Sequence, residues 1–209
     1  SSSANSQATL EASIIADNTV TLTGDFTVAS TVYILDVTGL TIDGDGHSIS
    51  GGGTQRILYI ANTGTSVTVI DTVFTAGYCT TTSYDGSFGG AILVNYGATI
   101  VMSGCTISSS TAASGNGGAI SFGIATGSAL SATITSCTFT GNSCGVSGGA
   151  LYVSSGATTT IEDSTFTGNT AASYGGAVSQ QSGVTVNVNR VTFTSNTATT
   201  GGRGGGVSL

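Results

Sequence analysis

Five times along this chain an apolar residue set among Thr and Ser is followed, at a nearly constant distance, by two glycines and a short apolar run. The most regular copies are Ser164-Thr165-Phe166-Thr167-Gly168-Asn169 with Gly175-Gly176-Ala177-Val178, and Val191-Thr192-Phe193-Thr194-Ser195-Asn196 with Gly204-Gly205-Gly206-Val207. Before them come Cys137-Thr138-Phe139-Thr140-Gly141-Asn142 with Gly148-Gly149-Ala150-Leu151, then Cys105-Thr106-Ile107 with Gly117-Gly118-Ala119-Ile120, and Thr72-Val73-Phe74 with Gly89-Gly90-Ala91-Ile92. The anchors Phe74, Ile107, Phe139, Phe166 and Phe193 are 33, 32, 27 and 27 residues apart. Such a period marks a repeat architecture, in which each unit buries its apolar face only against its neighbours.

Within a repeat the pattern is that of strands. Apolar residues alternate at Val67/Val69, Ile100/Met102, Ala132/Ile134, Ile161 and Val186/Val188, and the anchor follows with Thr or Ser usually on either side. The apolar parity changes between the two runs, so they cannot share one flat strand and a bend is expected near Asp71, Ser103-Gly104, Ser136, Asp163 and Arg190. A third strand starts at the glycine pair, where one Gly turns the corner and the other lets backbone pass close. Both parities of that strand are apolar, so its inward face stays open. These features predict an all-β parallel β-helix solenoid of about seven coils, three strands per coil, with a height on the order of 35 Å.

One domain, 1–209, is expected: irregular amino-terminal coils over 1–64, then the five repeats over 65–209. Residues 1–30 hold the β-type runs Leu10–Ile14 and Val20–Thr23, and strands are read at Thr31–Leu35, Leu40–Ile42 and Arg56–Ile60. No window shows a helical period. The Ser-rich start and the stop at Gly206-Val207-Ser208-Leu209, inside a third strand, suggest an excerpt of a longer chain. The bare coil at Leu209 predicts either further coils or a second copy stacked head to tail.

Charge narrows the partners. The net charge is −7, there is no Lys, and Arg56, Arg190 and Arg203 are the only strong cations. Phosphate backbones are repelled, so nucleic acid is not an expected partner. No apolar run is long enough to span a bilayer. Ser and Thr make up about a third of the residues, and with the absence of Lys this points to an extracellular or cell-surface location.

Chemistry is sparse. The carboxylates are Glu11, Asp17, Asp25, Asp36, Asp43, Asp45, Asp71, Asp85, Glu162 and Asp163, mostly at predicted corners. Glu162 and Asp163 are adjacent, and neighbours on a strand point to opposite faces, so they cannot flank one bond as acid and base. His47 beside Asp43 and Asp45 reads as turn chemistry between glycines rather than as a nucleophile's partner. Asp43 and Asp45 lack the later ligands of a calcium loop, and Gly201–Gly206 lacks the Asp of a calcium β-roll. No catalytic residue, cofactor or metal is expected.

Position in the repeat yields further expectations. Asn142, Asn169 and Asn196 each lie three residues past an anchor and should stack as an amide ladder. Asp163 and Arg190 occupy one repeat position on successive coils and should face each other. Cys105 and Cys137 both precede an anchor by two places, which suggests a disulfide or two stacked free thiols. Thr138/Thr140, Thr165/Thr167 and Thr192/Thr194 should form two outward ladders. These serve as a plain solvent face, as a platform for O-linked sugars, or as an ice-binding array similar to that of β-helical antifreeze proteins. No Asn-x-Ser/Thr sequon occurs; Asn142-Ser143-Cys144 is the rare Cys variant.

The pairing of Gly-Gly-Ala-[Ile/Leu/Val] with Phe-x-x-Asn over 65–209 resembles the repeat of chlamydial polymorphic outer-membrane proteins, which are surface-exposed adhesins. It departs from that pattern at Phe74-x-x-Gly77 and Ile107-x-x-Ser110, and the sequence holds no counterpart of an autotransporter's barrel. Leu40-Thr41-Ile42-Asp43-Gly44-Asp45-Gly46-His47-Ser48-Ile49 resembles a segment common near the amino terminus of pectate-lyase-like right-handed β-helices. The resemblance implies a right-handed coil and surface display. The expected function is a non-enzymatic shaft of an extracellular filament or adhesin, self-associating end to end and carrying or binding glycans. The alternative is a polysaccharide lyase or hydrolase, and the third reading is an ice-binding protein.

Overall fold

The computed structural model describes residues 1–81, 86–123, 129–154, 156–200 and 203–208. Asp85, Gly201, Gly202 and Leu209, named above, lie outside the described residues. Each alternating run forms a short strand that pairs in parallel, residue for residue, with the equivalent run one coil away. Among the described residues the strands fall into four sheets.

A long-strand sheet of eight contains Ser2–Ala4, Thr19–Leu22, Leu40–Asp43, Ser66–Ile70, Thr99–Ser103, Leu130–Thr135, Ala157–Glu162 and Thr185–Asn189. The anchor sheet of seven contains Phe26–Thr27, Ser48–Ser50, Val73–Thr75, Thr106–Ser108, Thr138–Thr140, Thr165–Thr167 and Thr192–Thr194. The glycine-pair sheet, also of seven, runs from Val32–Leu35 and Leu58–Ala61 through Ile92–Val94, Ile120–Phe122, Leu151–Val153 and Val178–Gln180 to Val207–Ser208. Seven coils at the ordinary strand separation of about 4.8 Å give a rod roughly 34 Å tall.

The fourth sheet was not legible in the sequence. It consists of five two-residue strands, Tyr78–Cys79, Thr111–Ala112, Ser143–Cys144, Thr170–Ala171 and Thr197–Ala198. The first two coils therefore have three strands and the next five have four. Close approach explains its composition: a Cβ on Gly118 would lie 2.3 Å from the Ser143 carbonyl oxygen, and one on Gly149 would lie 2.6 Å from the Thr170 nitrogen. Only small side chains fit inside that narrow lobe, and Cys79, Ala112, Cys144 and Ala171 form its separate core.

The parity switch does produce a corner. Asp71, Gly104, Ser136, Asp163 and Arg190 have φ of 42°, 66°, 54°, 49° and 50°, one left-handed residue at this corner of each repeat. In the glycine-pair sheet the inward residues are Val32, Ile34, Leu58, Ile60, Ile92, Val94, Ile120, Phe122, Leu151 and Val153. The opposite parity is apolar as well because part of its outer face is covered. Phe88 packs on Tyr59, Ala61 and Leu93. The segment carrying Phe88 is pinned by Arg56, itself only 2 % exposed, which donates to the carbonyls of Gly86, Phe88 and Gly89 at 2.9, 2.9 and 3.1 Å.

The amino-terminal reading needs correction. Residues 1–64 are not irregular: Val20 pairs with Ile42, Phe26 with Ile49 and Val32 with Leu58, all in register with later coils. The run Leu10–Ile14, expected as β, starts inside a helix, α1 (Gln7–Ala12). Ser6 caps it, and Thr9 Oγ1 accepts the Ser6 N–H in return. Six residues make fewer than two turns, so a single side chain, Leu10, reaches the core and no helical period can show. α1 plugs the core at this end of the rod. A second copy continuing the sheets there would have to displace it.

Candidate functional surfaces

The interior column of anchors is longer than the sequence suggested, running Phe26, Ile49, Phe74, Ile107, Phe139, Phe166, Phe193. Phe139 and Phe166 stack with centroids 4.5 Å apart and planes 2° off parallel, and Phe166 and Phe193 with 5.2 Å and 20°. Phe26 and Ile49 escaped notice because neither has an Asn three residues on or a glycine pair leading into an apolar run.

Three residues on, Asn142, Asn169 and Asn196 form a hydrogen-bonded ladder. Asn142 Nδ2 donates to Asn169 Oδ1 at 3.0 Å, and Asn169 Nδ2 to Asn196 Oδ1 at 2.9 Å. Each amide also donates to the anchor carbonyl of the previous coil, namely Ile107, Phe139 and Phe166. Each Oδ1 takes the main-chain N–H of the ladder residue below, at 2.9 to 3.0 Å. Ser110 continues the ladder downward, accepting the Gly77 N–H at 3.2 Å. At Gly77 a Cβ would sit 2.5 Å from the Gly90 carbonyl oxygen, so the Asn position must be Gly there.

The ionisable groups are occupied by structural contacts. Arg190 grips Asp163 through Nε to Oδ1 at 2.5 Å and Nη2 to Oδ2 at 2.8 Å. That contact lowers the Asp163 pKa. Glu162 accepts from Asn189 at 3.3 Å, and it reaches solvent as Asp163 does, because the strand ends at Glu162 and the chain turns at Asp163 instead of alternating faces. His47 pairs with Asp25 of the preceding coil at 3.4 Å, while Asp43 takes the Asp45 N–H as a turn. The Ser48 N–H, donating at 2.7 Å, is the main cause of a lowered Asp25 pKa. Among the described residues no three His, Cys, Asp or Glu side chains converge as a metal set.

Cys105 and Cys137 are stacked, buried free thiols rather than a disulfide. They occupy the column of Thr72 and Ser164, and all four side chains donate to the carbonyl two residues back, the thiols at 3.4 and 3.3 Å. The corner thus uses a thiol where other coils use a hydroxyl. Contact with Cys137 and then burial push the Cys105 thiol far up. Cys79 and Cys144 are separated in their column by Ala112. Burial raises the Cys144 pKa to about 11.

The anchor sheet carries the expected Thr ladders, Thr138/Thr165/Thr192 and Thr140/Thr167/Thr194. They extend back through Thr106, Val73 and Ser48, and through Ser108, Thr75 and Ser50. A second array, on the long-strand sheet, was missed. One column runs Thr19, Thr41, Thr68, Val101, Thr133, Thr160, Asn187, and its neighbour Ser66, Thr99, Ser131, Thr158, Thr185. The alternation in Ser66-Val67-Thr68 and Ser131-Ala132-Thr133 was the available signal. All positions in these four columns except Val73, Val101 and Asn187 are Ser or Thr.

A rod of in-register parallel strands, with corner ladders inside and flat hydroxyl arrays outside, defines a parallel β-helix solenoid. A family model described as the right handed beta helix region matches residues 3–209, and the chain belongs to that family. Comparison with curated proteins and with solved structures gives no significant match. No helix among the described residues is long and apolar enough to cross a membrane.

Proposed function

We propose that the chain is a non-enzymatic, rigid shaft displayed outside the cell, a cell-surface or extracellular element that presents its flat faces to glycans or to another surface. The observation that carries this reading is the pair of uncharged Ser/Thr arrays running along successive coils, on a scaffold whose ion pairs and Asn ladder serve the corners. Strand periodicity keeps the hydroxyls of each array facing outward together. Exposed Thr and Ser in that setting are acceptors for O-linked sugars, and a repeat resembling that of surface adhesins supports display. End-to-end assembly would need a contact other than sheet continuation at the α1 end.

Two measurements test it. Incubation with pectin, alginate and related polymers should release neither reducing ends nor unsaturated products, and sustained product formation would establish the polysaccharide-active alternative. Intact mass of the natural material should show hexose-type increments on peptides spanning Thr138–Thr140 or Thr165–Thr167. The regular spacing of the same arrays supports a second reading, ice binding. Inhibition of ice recrystallisation by the wild type and its loss in Thr165→Lys/Thr167→Lys would favour that reading over the shaft.

A further inference from the structure

Where α1 crosses the first strand of the glycine-pair sheet, the rod departs from its repeat and leaves an open groove. Its volume is about 380 Å³ and it is lined by Glu11, Ile14, Tyr33, Leu35 and Val37, a size in the range of small-ligand sites. Tyr33 and Leu35 are 44 % and 40 % exposed, high for apolar side chains on a strand. The Tyr33 ring is propped by the Tyr59 ring one coil on, with centroids 5.5 Å apart.

A fixed carboxylate stands at this groove. Gln7 Nε2 donates to Glu11 Oε1 at 2.7 Å, and Gln7 is held in turn by Oε1, which accepts the Ala29 N–H at 2.8 Å. Among the described residues Arg190 pairs with Asp163 and His47 lies beside Asp25, and no cationic side chain stands within ion-pair distance of Glu11. The surroundings are acidic too. Residues 1–55 contain Glu11, Asp17, Asp25, Asp36, Asp43 and Asp45 and no Lys or Arg, and Asp36 lies between the groove residues Leu35 and Val37.

Apolar walls, an aromatic ring and a preoriented carboxylate without a counter-ion complement one kind of group, a cation on an aliphatic stem. We propose that the groove binds a lysine side chain of a partner protein, its methylenes on Ile14, Leu35 and Val37 and its ammonium between Glu11 and the Tyr33 ring. This chain has no Lys, so a lysine occupant comes from a different protein. The proposal is independent of the shaft reading, and an enzyme or an ice-binding protein could equally carry the groove.

The test is a titration of the isotope-labelled 209-residue chain with Nα-acetyl-lysine methylamide, followed by amide chemical shifts. The expected result is saturable shifts confined to the neighbourhood of residues 11, 14, 33, 35 and 37, weakened by added salt. Acetylating the ammonium, or mutating Glu11→Gln, should each weaken binding by about tenfold. Glu11 is exposed and Gln keeps its shape, so unshifted resonances elsewhere will verify that the variant folds. Equal binding of the acetylated or norleucine compound would overturn the proposal in favour of an apolar-ligand pocket. Tighter binding of the arginine compound or of a methyl glucoside would overturn it too, as would shifts scattered over the acidic surface or none up to the solubility limit.

Discussion

Replacing Asn169 by alanine removes four hydrogen bonds in one step. Asn169 Oδ1 accepts from Asn142 N–H and from Asn142 Nδ2, each at 3.0 Å, while Nδ2 donates to the Phe139 carbonyl and to Asn196 Oδ1. Asn142 and Asn169 are both 0 % exposed, so water cannot substitute. An orphaned buried N–H costs about 1–3 kcal/mol and each of the other three lost bonds a net of about 0.5–1.5 kcal/mol, which puts Asn169→Ala at roughly 2.5–7.5 kcal/mol. Ser110 is the native precedent for a milder change: its hydroxyl accepts the Gly77 N–H and donates to the Ser108 carbonyl. Asn169→Ser should therefore cost only about 1–2 kcal/mol. Asn169→Asp keeps the acceptors but sets a buried carboxylate against the Phe139 carbonyl and Asn196 Oδ1. It should be the worst of the three at neutral pH. Burial raises its folded-state pKa above the unfolded one, so stability is present at low pH and lost as pH rises through the folded value. Urea unfolding followed by far-UV circular dichroism measures the series, and exchange of the Asn142 amide reports locally, since repeat arrays can unfold in parts. Alanine and serine variants of equal stability, or an Asn142 amide no less protected in the alanine variant, would refute the ladder's energetic role.

Thr159 is fully buried between Ala132 and Val186 in its column, and its hydroxyl has no hydrogen-bond partner. Thr159→Val keeps the shape and should raise stability by about 1–2 kcal/mol, read as a higher urea midpoint. Two glycines separate crowding from conformation: Gly149→Ala would place Cβ 2.1 Å from the Gly176 carbonyl oxygen, whereas at Gly168, φ 63°, nothing lies within 4 Å. Gly168→Ala should cost about 1–2 kcal/mol and Gly149→Ala clearly more, by the same unfolding assay. The four buried thiols should resist alkylation at pH 7 until urea unfolds the chain. Burial lifts Cys144 from the ordinary 9.0 to about 11, so between these values the unfolded chain binds fewer protons than the folded one. Stability should therefore hold below pH 9 and fall as pH rises towards 11, a trend that Cys144→Ala should reduce.

In a solenoid, residues one period apart are neighbours one strand spacing apart, so a repeat in the sequence is already a contact map. That is why the anchor column from Phe74 onward, the Asn ladder and the meeting of Asp163 with Arg190 were legible from spacing alone, and why the parity switch located the bends, though not their left-handed backbone, near Asp71, Ser103-Gly104, Ser136, Asp163 and Arg190. The two uses of the glycine pair followed from having no Cβ. What breaks translation along the rod was not legible. α1 has too few residues to show a period, the narrow strands are two residues long, and the covered outer face of the glycine-pair sheet depends on Arg56 and on a Phe at position 88, where the next coils carry Asn116, Ser147 and Tyr174. Register brings Cys105 and Cys137 together without deciding whether they are bonded, and the structure shows them as free thiols. The groove at Glu11 and Tyr33 joins a helix to the strand at the rod's first coil, and only the tertiary structure brings them together, because no period relates residue 11 to residue 33.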